Sequence, residues 1–173
     1  MWTVGLLAAA HESAIAAGAT IRSVSATDEA DKSTWVVDGD DLAVQTVMAF
    51  DVAAFLQRYM AAAVQAERER RLALGFSYDF GDARGVHHIG TTPDDMVGWR
   101  DVIDYANALV DLGDTTTQIA IVTDTGPALV TAPEWQAVML QAAQVRQVLW
   151  ARSFELQAMN PIPANYADDS HWT

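Results

Sequence analysis

The chain has 173 residues, a size that fits one ordinary domain or two small ones. Twenty-three acids against ten Lys and Arg give a net charge of -13, which excludes phosphate-backbone binding as a default because counterion release needs clustered cations. Apolar residues make up 51%, enough for a sizeable core, and the absence of cysteine removes disulfides, thiolate metal sites and cysteine nucleophiles.

Met1 to Ala10 is apolar but has no basic residue and runs at once into His11 and Glu12. No signal peptide is expected there, and no window is long and apolar enough for a transmembrane helix. A soluble protein made in a cytoplasm, without membrane insertion, is the expectation. Val4 to Ala17 is Ala-rich and predicts a short helix ending at Gly18. Ser25 to Ser33 is polar and reads as a loop. Trp35–Val37 and Leu42–Val47 then predict a hairpin with Asp38-Gly39-Asp40-Asp41 in its turn.

Asp51 opens a helix whose apolar stripe is Val52, Phe55, Leu56, Tyr59, Met60 and Ala63. It continues into Glu67-Arg68-Glu69-Arg70-Arg71, where Glu67 and Arg71 stand at i,i+4 in the favoured order. That charge run reads as a solvated helix end, with Gly75 supplying a left-handed terminator.

Phe76–Phe80 and Val86–Ile89 predict paired strands around a Gly81–Gly85 turn. Thr92-Pro93-Asp94-Asp95 is a helix start with an N-cap, Pro at N1 and acids in the first turn. Met96, Trp99, Ile103, Ala106 and Val110 follow at 3-4 spacing up to Gly113, predicting a helix over about 93–112. Ile119–Val122 and Ala128–Val130 form a second hairpin around Thr123–Gly126. Thr131 and Glu134 make a capping box for a last helix over about 133–159. Trp135, Val138, Ala142, Val145, Leu149 and Leu156 are expected on one face of it. Pro161 and Pro163 break it.

The pattern predicts an α+β fold: helices packed on short antiparallel strands and hairpins, with a long C-terminal helix. Four segments follow. They are a variable part over 1–50, a linking helix over 51–74, an α+β domain over 75–160 and an extended arm over 161–173.

Residues that could carry chemistry do not converge in this pattern. His87 and His88 are adjacent on a strand and point to opposite faces, so they do not share a metal easily. Asp38-Gly39-Asp40-Asp41 lacks the ligand order of an EF-hand. No Gly-x-Ser-x-Gly elbow and no Gly-rich phosphate loop is present. Asp94 with Asp95 and Asp101 with Asp104 are explained by helix polarity and a wet face. The reading is therefore a non-enzyme with no catalytic residue, cofactor or metal. Trp2, Ile162, Tyr166 and Trp172 are the candidate partner-binding residues, because large side chains near chain ends suit interfaces better than cores.

The arginine-rich helix end, the Gly75-Phe76 entry and the short strands precede a helix and a second hairpin. Leu129-Val130-Thr131-Ala132-Pro133-Glu134-Trp135 then leads into the long helix. This block, about residues 64–159, resembles a bacteriophage tail-associated protein family of unassigned function. The resemblance implies a non-enzymatic structural role in the virion tail. The subunit would sit at the tail end, as an adaptor or beside the tail fibres, and bind other tail proteins and further copies of itself. The alternatives are a cytoplasmic tail or fibre assembly chaperone absent from the mature particle, and a small envelope-degrading hydrolase. The hydrolase would need His87 or His88 joined in a cleft to acids from another element.

Overall fold

Three two-stranded antiparallel sheets and five α-helices build the computed structural model, which describes residues 5–173. This is the α+β fold that the pattern predicts. The chain divides into two compact units, Met1–Tyr59 and Met60–Thr173, with the boundary inside one helix.

In the first unit, α1 (Leu6–Ala16) ends before Gly18, whose φ of 84° is left-handed. Strand β1 (Ile21–Ala26) pairs antiparallel with β2 (Trp35–Gly39), and a 3-10 turn over Lys32–Thr34 leads into β2. Helix α2 (Asp41–Ala49) follows at once.

The predicted hairpin of Trp35–Val37 with Leu42–Val47 is therefore corrected. Trp35–Gly39 pairs backwards with β1, and the second half is helical. Asp40 decides the matter. One of its carboxylate oxygens accepts from the Ala43 N–H at 2.8 Å, an N-cap, and the other accepts from the Thr20 N–H at 2.8 Å. These bonds hold its carboxyl below the usual range, the Thr20 N–H foremost. Ala43 and Val47, four apart, then face inward. Ser25 and Ala26, read as loop, close the strand opposite Val36 and Trp35. The core gathers Leu6, Ala10, Ala14, Trp35 and Val47. Helix α3 (Val52–Leu72) starts on Asp51, which accepts from the Ala54 N–H, and adds Val52, Phe55 and Leu56 to this cluster.

In the second unit, Gly75 (φ 72°) ends the α3 region and delivers the chain to β3 (Phe76–Asp79), paired with β4 (Val86–Ile89). Helix α4 (Pro93–Asp111) begins with a complete capping box between Thr92 and Asp95. Strands β5 (Gln118–Thr123) and β6 (Gly126–Thr131) form the second predicted hairpin, and α5 (Ala132–Ala158) starts on the Thr131–Glu134 capping box. The core lies where the inner face of β5–β6 meets α4 and α5. Ile119, Ile121, Ala128 and Val130 pack there with Trp99 and Trp135, whose rings stand 4.9 Å apart.

Four expectations are revised. Tyr59 is 42% exposed, and Val64 rather than Ala63 is the fully buried α3 residue. The Glu67–Arg71 end is only partly solvated: Glu69 and Arg70 are exposed, but Glu67 and Arg71 are not. The Glu67 and Arg71 side chains keep 11% exposure each, joined at 2.7 Å, and Arg71 also donates to the Ala167 carbonyl and to Asp169. Val145 is exposed instead of lying on the inner face of α5.

The C-terminal segment is the fourth. A neighbour is expected to order residues 161–173, but they fold onto their own unit. Ile162 (5% exposed) and Trp172 (3%) join Val64 and Leu156 in a third apolar cluster. Arg152 ties down the Thr173 carbonyl. Burying two large side chains stabilises by about 1.5–3 kcal/mol each, which offsets part of the entropy of ordering the segment.

Candidate functional site

The two histidines diverge, as adjacent strand residues do. His87 is buried and its Nδ1 meets the Thr123 hydroxyl at 2.8 Å. His88 points out, with Nε2 2.8 Å from the Leu74 carbonyl and 3.8 Å from Asp124 Oδ2. Among the described residues no three His, Asp or Glu side chains converge as a metal site. Asp95 is occupied by its capping box, where it accepts from both the Thr92 N–H and hydroxyl.

Arg84 organises the other polar cluster. From the β3–β4 turn its guanidinium reaches Asp82 at 2.6 Å, Glu134 at 2.5 Å and the Leu129 carbonyl at 2.8 Å, and it stacks 4.3 Å over the Phe80 ring. Arg84 pulls the Glu134 carboxyl down to about 2, helped by the Thr131 N–H, and pulls Asp82 down to about 2 as well. Carboxylates held so firmly ionised are poor general acids at neutral pH; their task is to latch the β3–β4 turn to the start of α5.

Two shallow clefts flank α5. One, about 350 Å³, is lined by Glu69, Leu72, Thr91, Pro93, Met96 and Arg146. The other, about 340 Å³, is lined by Met96, Ile103, Met139, Ala142, Arg146 and Trp150. Neither contains His87, His88 or Asp124.

The surface that stands out is the outer face of β5–β6. Burial alternates strictly along β5, so Ile119 and Ile121 go inward while Ala120 and Val122 go outward. In β6, Ala128 and Val130 go inward while Pro127 and Leu129 go outward. Register sets Ala120 against Leu129 and Val122 against Pro127, so four apolar side chains make one outward patch over a depression of about 340 Å³. Val122 is 73% exposed and Leu129 55%. A one-sided antiparallel sheet ordinarily alternates apolar with polar, whereas a strand covered on both faces reads as an unbroken apolar run. Ile119-Ala120-Ile121-Val122 and Pro127-Ala128-Leu129-Val130 are such runs. That unbroken character is the sequence signal for this face.

Of the four candidate partner-binding residues, Ile162 and Trp172 are buried in their own unit and Tyr166 packs half-buried beside them, its carbonyl accepting from Trp172 Nε1 at 2.8 Å. In this arrangement Ile162 and Trp172 serve the fold. Trp2 lies outside the described residues.

No protein-family model matches the chain, and searches of curated proteins and of solved structures found no match either. The fold and this face define a small α+β protein with an uncovered apolar hairpin.

Proposed function

We propose that the protein is a non-enzymatic structural component of a bacteriophage tail, a tail-end, adaptor or fibre-associated subunit that works by contact with neighbouring tail proteins. The outer face of β5–β6 carries this reading: its strands are composed for burial on both sides, and among the described residues only one side is buried. The resemblance over about residues 64–159 supplies the biological setting. The buried core of each strand sets the hairpin rigidly, and Arg84 holds the Leu129 backbone, so Ala120, Val122, Pro127 and Leu129 form a preorganised apolar patch.

Mass spectrometry of purified particles, from phage carrying either the natural chain or the Val122→Asp and Leu129→Asp variants, tests this. Both sites are exposed, so the variants are expected to fold and yet to be missing from particles that contain the natural chain. Natural chain absent from particles, but needed for them to form, would establish the assembly-chaperone alternative instead. Undiminished incorporation of both variants would overturn the role of this face.

A further inference from the structure

The outward side of α5 carries a second pattern, independent of the hairpin and of the tail reading. Ala137, Leu140, Gln144, Gln147, Ala151 and Phe154 recur at 3-4-3-4-3 spacing, the seam of a coiled-coil helix, and all six are exposed. Leu140 is 62% exposed and Phe154 60%. The inward residues of the same helix, Trp135, Val138, Ala142 and Leu156, fill the opposite side, so α5 is apolar on two faces and covered on one.

Charge says what can cover the other. The chain carries a net charge of -13, yet between Glu134 and Glu155 it holds no acid. Of the two cations there, Arg152 is engaged by Glu155 and the Thr173 carbonyl, and Arg146 lines the clefts beside α4 and is only partly exposed. Two like-charged molecules repel wherever their acids face one another. The α5 seam is a strip where they do not.

The seam also matches itself. Reversed about a point between residues 145 and 146, it sets Ala137 against Phe154, Leu140 against Ala151 and Gln144 against Gln147. Each large side chain meets a methyl group, and amide meets amide. Such internal matching is what a two-fold interface requires of a surface, since the same patch serves both sides. We propose that this face of α5 pairs antiparallel with the same face of a second copy of the chain.

From Ala137 to Phe154 the seam is about 25 Å long at 1.5 Å per residue. A single pair of helices of this length stays below the roughly 800 Å² per partner of a standard stable interface. The dimer therefore belongs to the weak, concentration-dependent class, and salt strengthens it by screening the net charge.

Sedimentation equilibrium over a range of protein concentrations tests the pairing. The natural chain is expected to move toward twice the monomer mass at the highest concentrations, and Leu140→Asp and Phe154→Asp to remain monomeric with unchanged thermal midpoints. The absence of native cysteine allows the register to be read directly. Mild oxidation of a variant carrying Gln144→Cys and Gln147→Cys should give disulfide-linked dimers, whereas Ala137→Cys alone should not, because a two-fold sends the two 137 positions to opposite ends. A chain that stays monomeric at every concentration overturns the proposal. So does dimerisation unaffected by both aspartates, or efficient cross-linking through Ala137→Cys, which would mean parallel helices.

Discussion

The two units place tryptophan in contrasting cores. In the first, Trp35 sits among Leu6, Ala10, Ala14 and Val47, with its Nε1 donating to the Glu29 carbonyl. In the second, Trp99 and Trp135 pack on each other and are surrounded by isoleucine, valine and leucine from both strands and helices. The first core has five buried residues, three of them alanine or valine at full burial, beside the close approach of Gly39 to Ala43; the second has thirteen buried residues, the Trp99–Trp135 pair among them. The units therefore differ in which kind of substitution harms them most.

Trp135→Ala is expected to have the largest effect. It empties a fully buried site and should cost about 3–5 kcal/mol in a denaturant titration of the second unit. A loss under 1 kcal/mol would mean that this core collapses readily around the gap. Ile162→Ala comes next, at about 2–4 kcal/mol, because the C-terminal segment belongs to its own unit. An unchanged midpoint would return that segment to the role of a free arm.

The first unit should respond instead to added bulk. A Cβ at Gly39 would stand 2.7 Å from the Ala43 Cβ and 2.8 Å from the Thr20 carbonyl oxygen, both positions fixed by the Asp40 cap. Gly39→Ala should destabilise by about 1–3 kcal/mol, read from unfolding of the otherwise natural chain followed by far-UV circular dichroism. A neutral result would mean that α2 can shift away from β2.

The smallest effect is electrostatic and confined to the second unit. The Glu134 carboxyl falls from its ordinary value near 4.5 to about 2 in the fold, so the unfolded chain takes up its proton first as pH drops. Its contribution is present in full above about pH 4.5 and is lost as pH falls toward about 2. Glu134→Gln should flatten that part of the acid-unfolding curve while leaving the slope above pH 5 unchanged. An identical acid limb in the two proteins would show that the Arg84 latch contributes nothing.

The same contrast explains how far the sequence could be read. Caps and glycines are local, and Thr92 with Asp95, Thr131 with Glu134, Gly75 and Gly113 announce the second unit's helices in the order they occur. Asp40 is also a cap, but Asp38-Gly39-Asp40-Asp41 imitates a hairpin turn, and Leu42–Val47 satisfies both helical and extended patterns. Distant partners decide between them: Ile21–Ala26 pairs with Trp35–Gly39, and the Thr20 N–H fixes Asp40 as the cap of α2. The Glu67–Arg71 run and the C-terminal segment were opaque for a related reason: neither shows, in one dimension, that Asp169 and Ala167 return to cover Arg71. For the candidate site, legibility ran the other way. The apolar runs were present in the sequence, but only the structure reveals that Ala120, Val122, Pro127 and Leu129 share one exposed side.

That uncovered side also governs how the purified protein behaves as a colloid. At low ionic strength the excess of acids keeps molecules apart beyond the reach of short-range adhesion. Near 0.1 M salt the screening length shrinks to about 10 Å, and an exposed patch of Val122 and Leu129 can then touch another molecule. Added salt should accordingly cloud concentrated solutions rather than clear them, and dilution into low salt should reverse the turbidity. Preparations of the lone chain are best kept dilute and desalted.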